Sequence, residues 1–316
     1  MRQLNKEIVN ILAVQGYQTT KQIAVAIDVS ERTVRRHLAY MIKNRWIKLI
    51  VVPNPILCGF KAWSKIGIKV EPSRLVEVAR ILVEHPKVYF VAYSFGRFDI
   101  IIAVHFDTIN KLINFVNIEL TAIKGIANSE VLIFAFPRKY ENFYWPNPNI
   151  SNQYEQATDN KNYLPNNLDR NIIDVLGKEV LVPTSIIGSK LGVSNVIIRE
   201  HIKRMLIGNV LTRQVVMNPK ILENQVWATI GIVVNKRNAH EVIDIIMKSP
   251  QIYLATISLG RFNVIIAGHF QNIGLLNSFV THELVSIDGV GSVETFIHDK
   301  PLKYYNIPLY DFEARN

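Results

Sequence analysis

The chain is written twice. The segment 86–99 returns at 250–263, where Pro86, Tyr89, Ser94, Gly96, Arg97 and Phe98 become Pro250, Tyr253, Ser258, Gly260, Arg261 and Phe262. The same offset of 164 carries Leu4 to Leu168, Val29-Ser30 to Val193-Ser194, His37 to His201, Asn54-Pro55 to Asn218-Pro219, Trp63 to Trp227, Gly67 to Gly231, His105 to His269 and Gly125 to Gly289. No gap is needed from residue 4 to residue 134. Solenoid repeats run to roughly 20–45 residues. A unit this much longer is a duplicated domain pair, so both copies must reach the same fold, and differences at matched positions become informative.

Each copy divides again. In the first, Leu4, Ile8, Ile11 and Leu12 sit at helical spacing. Thr19 or Thr20 is placed to cap a second helix carrying Ile23, Ala24 and Ile27, and Ser30 to cap a third along Val34, Leu38, Met41 and Ile42. A β-rich stretch follows at 46–52. Beyond it, strands are expected over 62–70, 88–95, 98–106 and 126–136, with helices over 72–84 and 108–120. The order βαββαβ is the ferredoxin-like split unit, whose helices cover one sheet face and leave the other to be buried against something else.

Composition narrows the function classes. The 316 residues are 49% hydrophobic and 20% charged, enough core-forming material for about two folding units. No apolar run approaches the ~18 residues of a membrane helix, and the N-terminus has no apolar core of signal-peptide type. The chain is expected to be soluble and cytoplasmic, without a membrane partner. A single cysteine, Cys58, leaves no intrachain disulfide and no cysteine-based zinc site. The formal charge of +10 is unevenly placed: residues 1–150 hold 20 Lys/Arg against 11 Asp/Glu, residues 151–316 hold 16 against 15, and residues 1–50 alone hold 9 against 3.

Three short helices with a tight second turn describe a helix-turn-helix, whose last helix enters the major groove of double-stranded DNA. Such units also serve as plain packing modules, so the residues on the third helix decide. With Val34, Leu38 and Met41 inward, Glu31, Arg32, Thr33, Arg35 and Arg36 project outward, and arginines suit guanine edges and phosphates. Lys43, Arg45 and Lys48 add charge at the edge. Copy two puts Val196 and Ile197 where copy one has Arg32 and Thr33, and Glu200 where it has Arg36. Arg199, Lys203, Arg204 and Arg213 leave it some phosphate affinity. The modules are expected to be unequal, with the first leading.

Enzyme chemistry finds little support. The eight histidines show no HExxH pattern or paired spacing, no Walker loop is present, and Gly289-Val290-Gly291 lacks the third glycine of a dinucleotide fingerprint. No catalytic residue, metal site or cofactor is assigned. His37 and His201 are expected to pack helices or touch phosphate, and His105 and His269 to be structural.

The whole chain outside the middle segment resembles two tandem copies of the leucine-responsive regulatory protein/asparagine-regulator (Lrp/AsnC) family of transcription factors. The resemblance rests on Leu4, Ile8, Leu12, Val29-Ser30, Val34, His37, Leu38, Asn54-Pro55, Gly96-Arg97-Phe98-Asp99 and Gly125-Ile126, and on their counterparts in copy two. It implies an α+β fold: a winged helix-turn-helix followed by a βαββαβ ligand-binding and dimerisation domain, twice. The corresponding boundaries are 1–55 and 60–137, a linker at 138–167 rich in Asn, Pro, Gln and Tyr, then 168–219 and 224–300, and a tail at 301–316. Phe143, Tyr144 and Trp145 suggest that the linker's start packs on the preceding domain.

The resemblance also implies a small effector, an amino acid by analogy, bound where βαββαβ domains pair. By position its site would involve Gly96, Arg97, Phe98, Asp99 and Gly125, with Gly260, Arg261, Phe262, Asn263 and Gly289. Asp99 would pair with an ammonium group, and Asn263 would not. The duplicated chain would form an intrachain pseudo-dimer or interlock with other chains as a homo-oligomer. Two alternatives share the architecture: a siroheme-decarboxylase-like tetrapyrrole enzyme, and an effector-binding oligomerisation protein that meets DNA only through partners.

Overall fold

The computed structural model describes residues 3–15, 19–54, 58, 60–140, 165–178, 182–208, 210–218, 225–235, 238–304 and 307–309. The linker expectation over 141–164, including its three aromatics, lies outside the described residues. Each copy opens with three helices: α1 (Gln3–Gln15), α2 (Thr20–Ala26) and α3 (Glu31–Lys43), then α6 (Asn167–Lys178), α7 (Thr184–Leu191) and α8 (Asn195–Ile207). Thr19, not Thr20, caps α2, in a capping box with Gln22. Ser30 and Ser194 cap α3 and α8 through the amides of Thr33 and Ile197. At the turn after α2 and α7, Gly192 adopts a left-handed conformation (φ 65°), and the matched Asp28 does the same (φ 51°). Asp is among the few side chains that tolerate this.

The β-rich stretches do not stay with their own helices. Strand β1 (Ile47–Pro53) pairs antiparallel with β6 (Leu211–Met217). The amide of Asn54 donates to Val210 O at 2.8 Å and that of Asn218 to Trp46 O at 2.8 Å, closing the ribbon at both ends. Val51 and Cys58 of copy one join the core of the second helical module, while Val215 and Val216 of copy two join that of the first. Burial pushes the Cys58 thiol up to about 12, which keeps it protonated and unreactive.

Copy one continues with β2 (Ala62–Val70), α4 (Leu75–Glu84), β3 (Val88–Phe95), β4 (Ile100–Phe106), α5 (Ile109–Asn114) and β5 (Ile126–Tyr140). Copy two repeats this as β7 (Val226–Val234), α9 (Ala239–Ile246), β8 (Ile252–Leu259), β9 (Val264–Phe270), α10 (Ile273–Ser278) and β10 (Val290–Tyr304), with a short β11 (Ile307–Pro308) beside β10. The last strand of each copy outruns its expected end. β5 runs past residue 136 into the span assigned to the linker, and β10 runs past 300 into the span assigned to the tail. The extra length has a use: the extension of β5 pairs with β8, and that of β10 with β3.

Those two pairings close a ring. Going round, β3, β4, β2, β5, β8, β9, β7 and β10 are each hydrogen-bonded to the next, all antiparallel, and β10 returns to β3. Closure removes the free edges that four-stranded halves would expose. The sheet face left uncovered by helices in each copy therefore meets its counterpart within one chain. Alternation sorts the side chains: Ile66, Ile68 and Val70 face α4 and α5, whereas Trp63 faces inward with Trp227, Ala103 and Ala267.

At one end of the barrel Phe98 lies across Gly67 and Phe262 across Gly231, with Phe296 at 5.2 and 6.1 Å from the two rings. A Cβ at Gly67 would stand 2.3 Å from the Phe98 ring. Gly67→Ala is expected to lower stability by about 1–3 kcal/mol, an overpacking cost measurable by urea unfolding.

Candidate nucleic-acid interface and effector turns

On α3 the outward arginines are where the spacing put them: Arg32, Arg35 and Arg36 are exposed, on the side opposite buried Val34 and Met41. Thr33 is half-buried, and its hydroxyl is 2.9 Å from Ser30 Oγ, so it belongs to the helix cap more than to the exposed row. Arg35 is tied to Glu31 at 2.6 Å, and Glu31 also accepts from Thr20 Oγ1 at 2.7 Å, which links α2 to α3. The hydrogen bonds from Thr20 and Arg35 hold the Glu31 carboxyl below its usual range. Arg36 lines a small groove with Asn5, His37 and Tyr40. Lys43 is exposed in the last turn of α3, Arg45 is exposed in a left-handed turn (φ 55°), and Lys48 is half-buried on β1 opposite Val216.

The second module carries a different face. Val196 is 70% and Ile197 46% exposed at the start of α8, so apolar surface stands where copy one presents Arg32 and Thr33. Arg199 and Lys203 are exposed, with Arg199 Nε 3.4 Å from Thr184 Oγ1. Arg204 contacts His201 Nε2 at 3.0 Å. The side chain of Arg213 lies outside the described residues.

The two matched histidines fasten helices together. His37 Nδ1 is 2.6 Å from Asn5 Oδ1 on α1, and His201 Nδ1 is 2.7 Å from Asp169 Oδ1 on α6. Asp169 is fully buried and also accepts from the amide of Asn166 at 2.9 Å. Asp169→Ala is expected to cost about 2–3 kcal/mol, the range for a lost charge-assisted bond. Asp169→Asn should cost clearly less, because it restores the pairing that copy one uses; chemical denaturation of both variants checks this.

The glycine turns occupy one end of the barrel. Gly96 and Gly260 have φ of 106° and 117°, Gly125 and Gly289 of 97° and 94°, backbone that favours glycine at all four positions. The carbonyls of Gly125 and Gly289 accept from the amides of Glu71 (2.8 Å) and Asn235 (2.7 Å). Arg97 binds Glu130 at 2.8 Å, Arg261 binds Glu294, and Arg261 also reaches Glu130 at 3.9 Å. A chain of alternating charge thus brings both turns together across the two copies. The remaining members of the expected effector set are already engaged. Phe98 and Phe262 are buried in the barrel, and Asp99 accepts from Lys69 Nζ (2.7 Å) and the amide of Val70 (2.8 Å). Asn263 keeps the backbone bond, to Val234 at 2.7 Å. The residue matched to Lys69 is Val233, so the carboxylate and its lysine change together between the copies.

A polar group inside the barrel has no counterpart in the sequence-derived site. Lys65 is 4% exposed, and its Nζ donates to Thr229 Oγ1 at 2.6 Å and lies 5.8 Å from the Phe90 ring centre. The Thr229 hydroxyl also shares a hydrogen bond with His298 Nε2 at 2.7 Å. Burial brings Lys65 down to about 7, and burial together with Lys65 takes His298 well below its usual range. A signal was available: Lys65 has the strand parity of Trp63 and Gly67, both repeated positions. Among the described residues no group of three or more His, Cys, Asp or Glu is placed to hold a metal, and no helix is long and apolar enough to cross a membrane.

Residues 5–48 match the DeoR-like helix-turn-helix domain and residues 65–140 the Lrp/AsnC ligand binding domain. An uncharacterized HTH-type transcriptional regulator of Pyrococcus furiosus is 31% identical over 139 residues, which is 44% of this chain and 94% of that protein. The chain belongs to the Lrp/AsnC family. The HTH-type transcriptional regulator FL11 of Pyrococcus furiosus is 30% identical over 131 residues, 41% of this chain and 86% of the relative. Each of these regulators has about the length of one copy, so this Lrp/AsnC chain carries in tandem what they carry once. A full-length likeness is also found. The siroheme decarboxylase NirDL, solved with an iron-uroporphyrin III analogue, superposes with a TM-score of 0.57 at 13% identity, covering 96% of this chain and 94% of that one. At that identity the likeness concerns the fold alone.

Proposed function

We propose that the protein regulates transcription by setting α3 in the major groove of double-stranded DNA, with α8 as a weaker second reader. The observation that carries this is the contrast on one matched helix face: exposed Arg32 and Arg36 against exposed Val196 and Glu200, with Arg35 matched by Arg199 and Thr33 by the exposed Ile197. Regulation by a small effector, an amino acid by family analogy, is proposed for the barrel end where Gly96, Arg97, Gly125, Gly260, Arg261 and Gly289 gather. Phe98 and Phe262 support that end from inside the barrel, and Asp99 and Asn263 brace its rim through the amides of Val70 and Val234. The protein is proposed to act in the cytoplasm and without catalysis.

Retardation of random-sequence duplexes by the full chain, followed by enrichment of the bound pool, tests the main proposal. A single enriched motif with salt-dependent affinity is expected. The full-length likeness to NirDL gives the tetrapyrrole-enzyme alternative a direct readout in the same preparation. No retardation, together with an absorbance shift on tetrapyrrole titration, would replace the regulator by that enzyme.

A further inference from the structure

The barrel places matched residues against each other across a pseudo-twofold axis, so its interior shows what each copy would meet if it paired with itself. Part of the interface is indifferent to that choice. Lys139 Nζ donates to the carbonyls of Met247 (2.9 Å) and Ser249 (3.2 Å), and its match Lys303 donates to His85 O at 2.8 Å; His85 is itself the match of Ser249. These contacts would form equally well in any pairing of the two units.

Three other contacts would not. Lys65 and Thr229, in direct contact, are matched residues, so two first copies would place Lys65 against Lys65 in an interior that holds no carboxylate partner for it among the described residues. The acceptor that completes the chain, His298, is matched by Phe134, which offers nothing to a hydroxyl or an ammonium. On the outside, Arg138 binds Asp244 at 2.7 Å. Their matches are Leu302 and Arg80, so two first copies would set Arg138 against Arg80 twice over. Like charges brought together are unfavourable, most of all where water is excluded.

We infer that Lys65, Thr229 and His298 inside the barrel, with Arg138 and Asp244 outside it, are a pairing code that joins copy one to copy two and rejects copy one with itself. The partner of each first copy's sheet is therefore a second copy, its own or that of another chain, and every barrel carries one basic α3 and one weakly basic α8. With α3 and α8 as the DNA readers proposed above, an asymmetric particle follows from this pairing, independently of which sequence α3 reads.

The test uses the full chain with a protease site inserted between residues 150 and 160, cleaved after purification so that all residues remain present. The cleaved protein is unfolded in urea and refolded, and native mass spectrometry reports which halves pair. Pairs of unlike halves are expected almost exclusively, whereas a statistical mixture of like and unlike pairs overturns the code. Lys65→Thr with Arg138→Leu should raise first-copy pairs at least tenfold; no rise removes the assignment to these residues. The uncut chain gives a second readout. Thr229→Lys reproduces the two-lysine arrangement and should lower the urea midpoint, and adding Lys65→Thr should recover most of the loss. A Thr229→Lys chain as stable as the parent, or a double variant no better than the single, overturns the code.

Discussion

Lys65→Met stabilises the protein at pH 7, by roughly 1–4 kcal/mol, the range over which buried charged groups give way favourably to apolar side chains of similar volume. The lysine stem already lies among Trp63, Phe90 and other buried apolar side chains, and methionine keeps that packing while removing the ammonium. Thr229 is not stranded by the change, because its hydroxyl keeps the hydrogen bond with His298. The pH dependence identifies the cause. Lys65 sits at about 7 in the folded chain, against roughly 10.4 when unfolded, so between those values the unfolded state binds more protons and stability rises with pH. The parent protein should therefore gain stability from pH 7 toward pH 9, and Lys65→Met should lose most of that rise. Lys303, brought down by burial to about 8, leaves a smaller rise in the variant. A separate acid limb remains, since burial lowers His105, His269 and His298: below about 6.5 the unfolded chain takes up protons that the folded chain does not, and stability falls as pH falls. Urea midpoints of both proteins at pH 6, 7, 8 and 9 decide the matter; parallel curves would mean that the lysine is not what titrates.

Much of the fold was readable because its signals are local. Serine caps and the apolar period of each helix and strand are written within a dozen residues, and the repeat writes most of them twice, as Ser30 and Ser194 show. What joins the copies is not local. That β1 leaves its own module for β6, or that β5 and β10 run on to close the ring, depends on pairings more than 100 residues apart, which no periodicity encodes. The effector turns show a second use for a short motif. Phe98 and Asp99 also have partners within the chain, Gly67 under the ring and Lys69 beside the carboxylate, and both are legible in the repeat alignment as the Gly67/Gly231 match and the Lys69/Val233 difference. Lys65 is hidden for a related reason: a lysine in a strand is usually solvated, and only closure of the barrel puts this one inside.

Arg32→Ala with Arg36→Ala should weaken operator binding by the full chain roughly 100-fold near physiological salt, at about 1–1.5 kcal/mol for each charged contact. If both arginines meet phosphate, the slope of log affinity against log salt falls by about 0.9 for each; if one reads a guanine edge, the slope falls less and discrimination at that base pair relaxes. Arg35 should behave differently from either, because it must leave Glu31 to reach DNA. Glu31→Gln releases it and removes a carboxylate facing the phosphates, so affinity should rise a few-fold, while Arg35→Ala alone should cost less than Arg36→Ala. On the other module, Arg199→Ala with Lys203→Ala should cost less than about fivefold, since Glu200 and the apolar pair Val196 and Ile197 already leave α8 poorly matched to a polyanion. Fluorescence anisotropy with one operator duplex at four salt concentrations measures all five variants. Equal losses from the two modules would refute the leading role given to α3. They would mean that the surplus charge of residues 1–50 serves general attraction to DNA, with both helices reading alike.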